Sequence, residues 1–311
     1  MQMEIEMAYI AGLMDGDGSF SITKANVKNK IQYRPLIQLG SKYKSTIELL
    51  KTMIGGNFTF TDDHINKHGK AKKAFYNWRL SGADRCINFL SKITPYLTNK
   101  KDRAEFLLKY FLENKFVPGK KLSNDILSKR EQAYSKMYEL NRFNPLLLSR
   151  TKKPTIENNS DIFWSYLAGL FDTDGHFALT SRSDKYFRAE IQLHITDLRC
   201  INFIQENCIY GSLNVKKDKH CKHGIIYRYE ILKIDDVLNF LNKILPYLKI
   251  KKSQAELLIY YLDNKKNYMV RSKNQTIPEE ELLFRRQCRD KMKQLHANCD
   301  LYKPTLIDLE G

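Results

Sequence analysis

Two short acidic clusters, Asp15-Gly16-Asp17-Gly18 and Asp172-Thr173-Asp174-Gly175, are the residues of this chain best suited to chemistry. Carboxylate oxygens are hard ligands, and Mg²⁺ binds through one or two of them together with phosphate oxygens. Each cluster closes an apolar segment that reads as a helix, so each pair of acids falls where the helix dipole is already negative. A costly placement made twice asks for a cation at the same spot, and Asp17 and Asp174 are its candidate ligands. A lone Asp-Gly-Asp-Gly would read as a helix end and a turn, with a glycine suited to the C-terminal cap. The matched pair is what points to a metal.

The elements that must position these acids are themselves duplicated. Residues 10–20 read IAGLMDGDGSF and residues 167–177 read LAGLFDTDGHF, identical at seven of eleven positions. TPYLTNKKDRAEFLLKYFLENK from Thr94 matches LPYLKIKKSQAELLIYYLDNKK from Leu245, and KMYELN from Lys136 matches KMKQLH from Lys291. Asp17 to Asp174, Pro95 to Pro246 and Lys136 to Lys291 are offset by 157, 151 and 155 residues, so the two copies run in parallel. We place the repeats at 1–143 and 161–311, joined by 144–160, where proline, asparagine and basic residues replace periodic apolar ones. Ala11, Gly12 and Gly16, with Ala168, Gly169 and Thr173, are small enough to let two helices approach closely. Packed side by side, such helices would bring their acid-bearing ends together.

Each copy continues in the same order. Period-2 alternation predicts strands at 18–24 and 31–40, then 57–62 with 74–81; in the second copy they fall at 176–183 and 186–195, then 212–218 with 225–233. Helices are expected near 44–54, 84–93 and 100–114, and near 198–208, 235–243 and 251–263. The plan is α+β with one antiparallel sheet per copy, leaving one face of each sheet to solvent or a ligand. In the first copy that face gathers Ser21, Thr23, Gln32, Arg34, Gln38, Asn57, Thr59, Thr61, Asn77 and Arg79, with Leu36 interrupting. In the second it gathers Thr180, Arg182, Arg188, Glu190, Gln192, Asn214, Lys216, Arg228 and Glu230. Any solvated sheet is polar, but these types also read base edges in the major groove, Arg for guanine and Asn or Gln for adenine.

Composition narrows the partner. Among 311 residues, 52 Lys and Arg stand against 35 Asp and Glu, a formal charge of +17 that favours a polyanion. No apolar run approaches the roughly 20 residues that span a bilayer. The N-terminus carries acids where a secretory signal would be basic, so no export is expected. Nucleic acid is the better partner. The six cysteines at 86, 200, 208, 221, 288 and 299 form no CxxC pair and read as free thiols. His220, Cys221 and His223 lack a fourth ligand at zinc-like spacing and read as a polar hairpin tip.

With these motifs in place, nearly the whole chain resembles a LAGLIDADG homing endonuclease of the single-chain, two-repeat kind. The resemblance implies two pseudo-symmetric αββαββα halves, motif helices at their interface, and antiparallel sheets forming a DNA-binding saddle. It assigns metal binding to Asp17 and Asp174, with the carbonyls of Gly16 and Thr173 as further ligands, and structural roles to Asp15 and Asp172. It also implies a basic catalytic residue after a Pro-aromatic-Leu turn. Here the turns Pro95-Tyr96-Leu97 and Pro246-Tyr247-Leu248 put Lys100 and Lys251 at that position. Ser41 and Thr196 lie near the ends of the second strands but do not align, and are not assigned. The implied activity is metal-assisted hydrolysis of both strands of a long, asymmetric DNA target by a monomer. It would use Mg²⁺, with Mn²⁺ as a substitute, and leave short 3′ overhangs. An intron-splicing maturase that binds intron RNA is the alternative on the same fold. An organelle and a microbial cytoplasm both suit such a protein.

Overall fold

Alternation along four strands in each half builds the framework, and a computed structural model of the chain shows how. It describes residues 1–27, 30–65, 71–72, 74–114, 123–142, 160–183, 186–217, 225–265 and 277–297. Two compact units divide the chain, Met1–Tyr166 and Leu167–Gly311. The proposed 144–160 linker lies outside the described residues except for Ser160, as do His220, Cys221, His223 and the tail from 298 onward.

The first unit opens with α1 (Gln2–Gly16), which leads directly into β1 (Gly18–Val27) and β2 (Lys30–Ser41). Helix α2 (Lys44–Ile54) and strand β3 (Asn57–Thr61) follow. A small hairpin, β4 (His64–Ile65) with β5 (Ala71–Lys72), precedes β6 (Phe75–Ser81). Helices α3 (Ala83–Ile93), α4 (Lys101–Glu113) and α5 (Asn124–Asn141) complete the order, with a 3-10 turn at Thr94–Tyr96. The sheet runs β1-β2-β6-β3, antiparallel throughout. One face buries Phe20, Ile22, Ile37, Leu39, Trp78 and Leu80. Residues paired across antiparallel strands share a face, so Ser19, Gln38, Arg79 and Asn57 form one row across the other face, and Gly40, Asn77 and Thr59 form the next.

The second unit repeats the order. Helix α6 (Asp161–Asp174) crosses the division between units and runs into β7 (Gly175–Ser183) and β8 (Tyr186–Ile195). Helix α7 (Leu198–Asn207), strands β9 (Ser212–Lys217) and β10 (Ile225–Ile231), and helices α8 (Ile234–Ile244), α9 (Lys252–Asn264) and α10 (Glu279–Ala297) follow. Its sheet order is β7-β8-β10-β9. Both units therefore contain the expected αββαββα order and add two helices after it. The matched segments KMYELN and KMKQLH fall on the last of these, α5 and α10.

Among the described residues no helix is long and apolar enough to cross a membrane. Cys86, Cys200, Cys208 and Cys288 are buried and outside any disulfide; burial pushes the Cys86 and Cys288 thiols up to about 12, so they stay protonated.

Candidate active site

Each motif helix ends in a frame built by the turn that precedes α4 or α9. Asp15 is buried, and its carboxylate accepts from the Thr98 amide at 2.7 Å, the Lys100 amide at 2.9 Å, and the hydroxyls of Thr98 and Tyr166, each at 2.9 Å. Asp172 accepts from the amides of Lys249, Ile250 and Lys251 at 2.9, 3.1 and 2.7 Å. Lys100 and Lys251 are the residues that cap the N-termini of α4 and α9, and neither helix has a side-chain cap of its own. The buried acids supply that missing acceptor from another helix, at the end where a negative charge is stabilising. Burial raises the Asp15 carboxyl above its ordinary value, opposed first by the Thr98 amide and then by the Lys100 charge.

The lysine side chains turn back on the motif. Lys100 Nζ donates to the carbonyls of Met14, Gly16 and Gly18 at 2.9, 2.7 and 2.8 Å. Lys251 Nζ does the same to Phe171, Thr173 and Gly175 at 2.9, 2.8 and 2.6 Å. All three ammonium protons are thereby used, each in a charge-assisted bond worth about 1.5–3 kcal/mol. Neither motif helix carries a basic residue in its last turn, so the lysines bring positive charge to the dipole from outside. The cation that the dipole argument asked for is thus partly an internal ammonium. What remains open to solvent at each helix end is the last acid: Asp17 and Asp174 are both exposed, whereas Asp15 and Asp172 are 2% exposed. Each ammonium holds the carbonyl before and the carbonyl after the exposed acid.

The glycine that follows each acid serves close approach rather than a left-handed cap. Asp17 itself caps α1 at φ −93° and ψ −3°, and neither Gly18 nor Gly175 has positive φ. A Cβ on Gly18 would lie 2.5 Å from the Met14 carbonyl oxygen, and one on Gly175 would lie 2.6 Å from that of Phe171. Only glycine lets the strand leave that tightly against the last helical turn.

An exposed carboxylate beside a backbone carbonyl is a hard-oxygen donor set, and the residues fit a divalent cation. The Gly16 and Thr173 carbonyls already accept from lysine, which leaves each a second lone pair. The Thr173 hydroxyl is not part of that set, because it bonds back to the Leu170 carbonyl at 2.8 Å. Among the described residues no three His, Cys, Asp or Glu side chains cluster, so protein side chains alone do not complete a site.

The sheet faces hold the remaining expected residues. In the first unit Ser21, Thr23, Gln32, Arg34, Gln38, Asn57, Thr59, Thr61, Asn77 and Arg79 share the face that also carries Leu36 and Phe75. The hydroxyls of Ser21 and Thr23 donate to the carbonyls of Leu36 and Arg34, so what each can still offer is an acceptor oxygen. In the second unit Thr180, Arg188, Glu190, Gln192, Asn214, Arg228 and Glu230 share one face. The backbone puts Lys216 opposite Ile226, and Arg182 in an irregularity between Ser181 and Ser183. Glu190 accepts from Thr180 at 2.9 Å and Gln192 at 2.8 Å; Glu230 accepts from Asn214 at 2.5 Å and pairs with Arg228 at 3.1 Å. Sequence reasoning left out His176 and His194, which register places on the same face. The His176 ring lies 4.7 Å from that of His296. Desolvation, then the charges of His296, Lys251 and His194, push it down to about 4, so it is neutral at pH 7. The signal that could have found both was present, since His194 continues the alternation of Gln192 by one step and His176 continues that of Thr180 by two, past Ala178.

The family model described as LAGLIDADG endonuclease matches residues 10–117 and again 167–268, together well over half of the chain. The chain belongs to the LAGLIDADG endonuclease family. Enzymes of this LAGLIDADG group are divalent-metal dependent. A curated relative, the intron-encoded DNA endonuclease aI3 of Saccharomyces cerevisiae, is 24% identical over 183 residues, which is 57% of this chain. The alignment spans 37% of that protein's length. Solved LAGLIDADG structures share the fold across 92–93% of this chain. I-LtrWI bound to target DNA has TM-score 0.64 at 19% identity and is covered over 98% of its length. I-GzeII in complex with its DNA target has TM-score 0.62 at 18% identity, with 97% of its length covered. I-SmaMI on an uncleaved DNA target with calcium ions has TM-score 0.59 at 17% identity, with 98% covered.

Proposed function

We propose that this LAGLIDADG chain acts as a monomeric, site-specific double-strand DNA endonuclease. It hydrolyses one phosphodiester in each strand of a long, asymmetric target with Mg²⁺, Mn²⁺ substituting, and leaves short 3′ overhangs. The observation that carries this reading is the duplicated frame: an exposed acid whose two neighbouring carbonyls are pinned by one ammonium. In the proposal, residues 1–143 and 161–311 are the two repeats, 144–160 joins them, and the gene lies in an intron.

In this reading Asp17 and Asp174 hold the divalent ions, helped by the free lone pairs of the Gly16 and Thr173 carbonyls. A bound cation would neutralise charge on the scissile phosphate and make a nearby water more acidic. Lys100 and Lys251 act on the reaction from beside the acids. They fix the backbone on both sides of Asp17 and Asp174, and their charge lies close to where negative charge develops in the transition state. Asp15 and Asp172 hold those lysines in register. The polar faces of the two sheets read the target in the major groove; because they carry different residues, the target is asymmetric. Bending of the target adds specificity at positions no side chain touches.

Cleavage selection on a randomised DNA library tests this directly, with Mg²⁺ in one arm and a chelator in the other. Discrete cuts at one long site, absent with chelator while binding persists, are the expected result. A protein that binds DNA but cuts no library member with Mg²⁺ or Mn²⁺ would overturn it.

A further inference from the structure

One apolar side chain on the first reading face has a seat built for it. Phe75 opens β6, pairs with Thr61, and shares its face with Asn77 and Arg79. Its ring is 43% exposed, and it lies over Gly40, the residue opposite Asn77 on β2. A Cβ on Gly40 would collide with Cζ of that ring and come within 2.7 Å of Cε1. The glycine therefore leaves bare backbone where the tip of the ring reaches across to β2, amid amide, hydroxyl and guanidinium groups. The other unit keeps no such arrangement: register puts Ile226 and His194 on the matching strands.

The major groove offers one apolar group to a reader, the 5-methyl of thymine. A phenyl ring held on a polar, groove-facing surface has that methyl as its natural complement, and the ring loses its exposure to water on contact. We propose that Phe75, seated on Gly40, selects thymine at one position of the half-target read by the first unit. This rests on the DNA-reading role proposed above for the sheet faces.

The proposal is tested by comparing cleavage-selection profiles of the wild type, Phe75→Leu and Phe75→Ala, each with Mg²⁺. The expected result is a thymine that is selected by wild type and by Phe75→Leu but not by Phe75→Ala, with selection at the other positions retained. Replacing that thymine by deoxyuridine in the chosen target removes only the methyl. Wild-type binding should then weaken on the order of fourfold, the effect of one buried methyl-sized group, while Phe75→Ala binding should not respond. A Phe75→Ala profile identical to wild type overturns the proposal, as does a wild type indifferent to deoxyuridine or a loss spread evenly over the whole target. Failure of the wild type to cut any library member is a different outcome, and removes the endonuclease reading on which the proposal stands.

Discussion

At the two helix ends, Lys100 and Lys251 donate to carbonyls at matching positions: Met14, Gly16 and Gly18 in the first unit, Phe171, Thr173 and Gly175 in the second. Across the two sheets such agreement is lost. The first face carries Arg34 and Arg79 with no acid among its described positions, whereas Glu190 and Glu230 on the second are engaged by Thr180, Gln192, Asn214 and Arg228. The difference follows from what each interaction addresses. A lysine that bonds backbone carbonyls is indifferent to the side chains around it, so Gly16 and Thr173 can differ without disturbing the frame. Side-chain networks on a face depend on every member, and the two faces have become different surfaces. In the function proposed above, the centres define a reaction and the faces define where it happens.

The largest effect should come from separating the centres. On a selected target, Asp17→Asn and Asp174→Asn should each slow cleavage of one strand on the order of 1,000-fold, as expected for removal of a group that stabilises transition-state charge. Gel analysis of labelled strands should show nicked product, with opposite strands cut by the two variants. Loss of both cuts from either variant would mean that the frames do not work as independent units.

Removing the ammonium tests the frame itself. Lys251→Met should destabilise the protein by about 3 kcal/mol, because carbonyls bonded to a charged donor lose it while partly buried. Lys100→Met should cost less, since Lys251 is 6% exposed and Lys100 lies nearer to solvent. Urea unfolding midpoints give the ranking, and equal losses would contradict the burial argument.

Smaller effects belong to the faces. Arg79→Ala should weaken target binding by about 2 kcal/mol and relax selection at one position, as for a guanine-reading arginine. Uniform weakening at every position would make Arg79 a phosphate contact instead. Glu230→Gln removes an anion from the second face, so binding to unrelated DNA should tighten by about threefold at low salt and the advantage should shrink as salt rises. An unchanged ratio of specific to unrelated binding would show that Glu230 does not hold Arg228 for readout.

Most of the strand framework was legible because one buried face imposes period 2: Phe20 and Ile22, or Ile191 and Leu193, are buried while their neighbours are not. The acids and the lysines were legible as a repeated spacing. Their geometry was not. Nothing local says that Lys100 Nζ reaches back to carbonyls 82 to 86 residues away, or that Gly18 is required by a collision with Met14 rather than by a left-handed turn. Helices α5 and α10 were visible only as a repeated hexapeptide, because charged positions dilute their apolar stripe. Phe75 escaped notice because its significance lies in the absence of a side chain at Gly40, on another strand.

The bonds that frame Asp17 join residues far apart in the chain, and time therefore enters the chemistry. During synthesis the motif acid emerges early, but its lysine and the Thr98 amide arrive some eighty residues later. Closing a loop of that length carries an entropic cost that only the assembled core repays. A nascent or partly unfolded unit thus possesses its acid without its setting. In the proposed reading cutting is therefore a property of the finished fold, and an unfinished chain carries the acid without the means to use it.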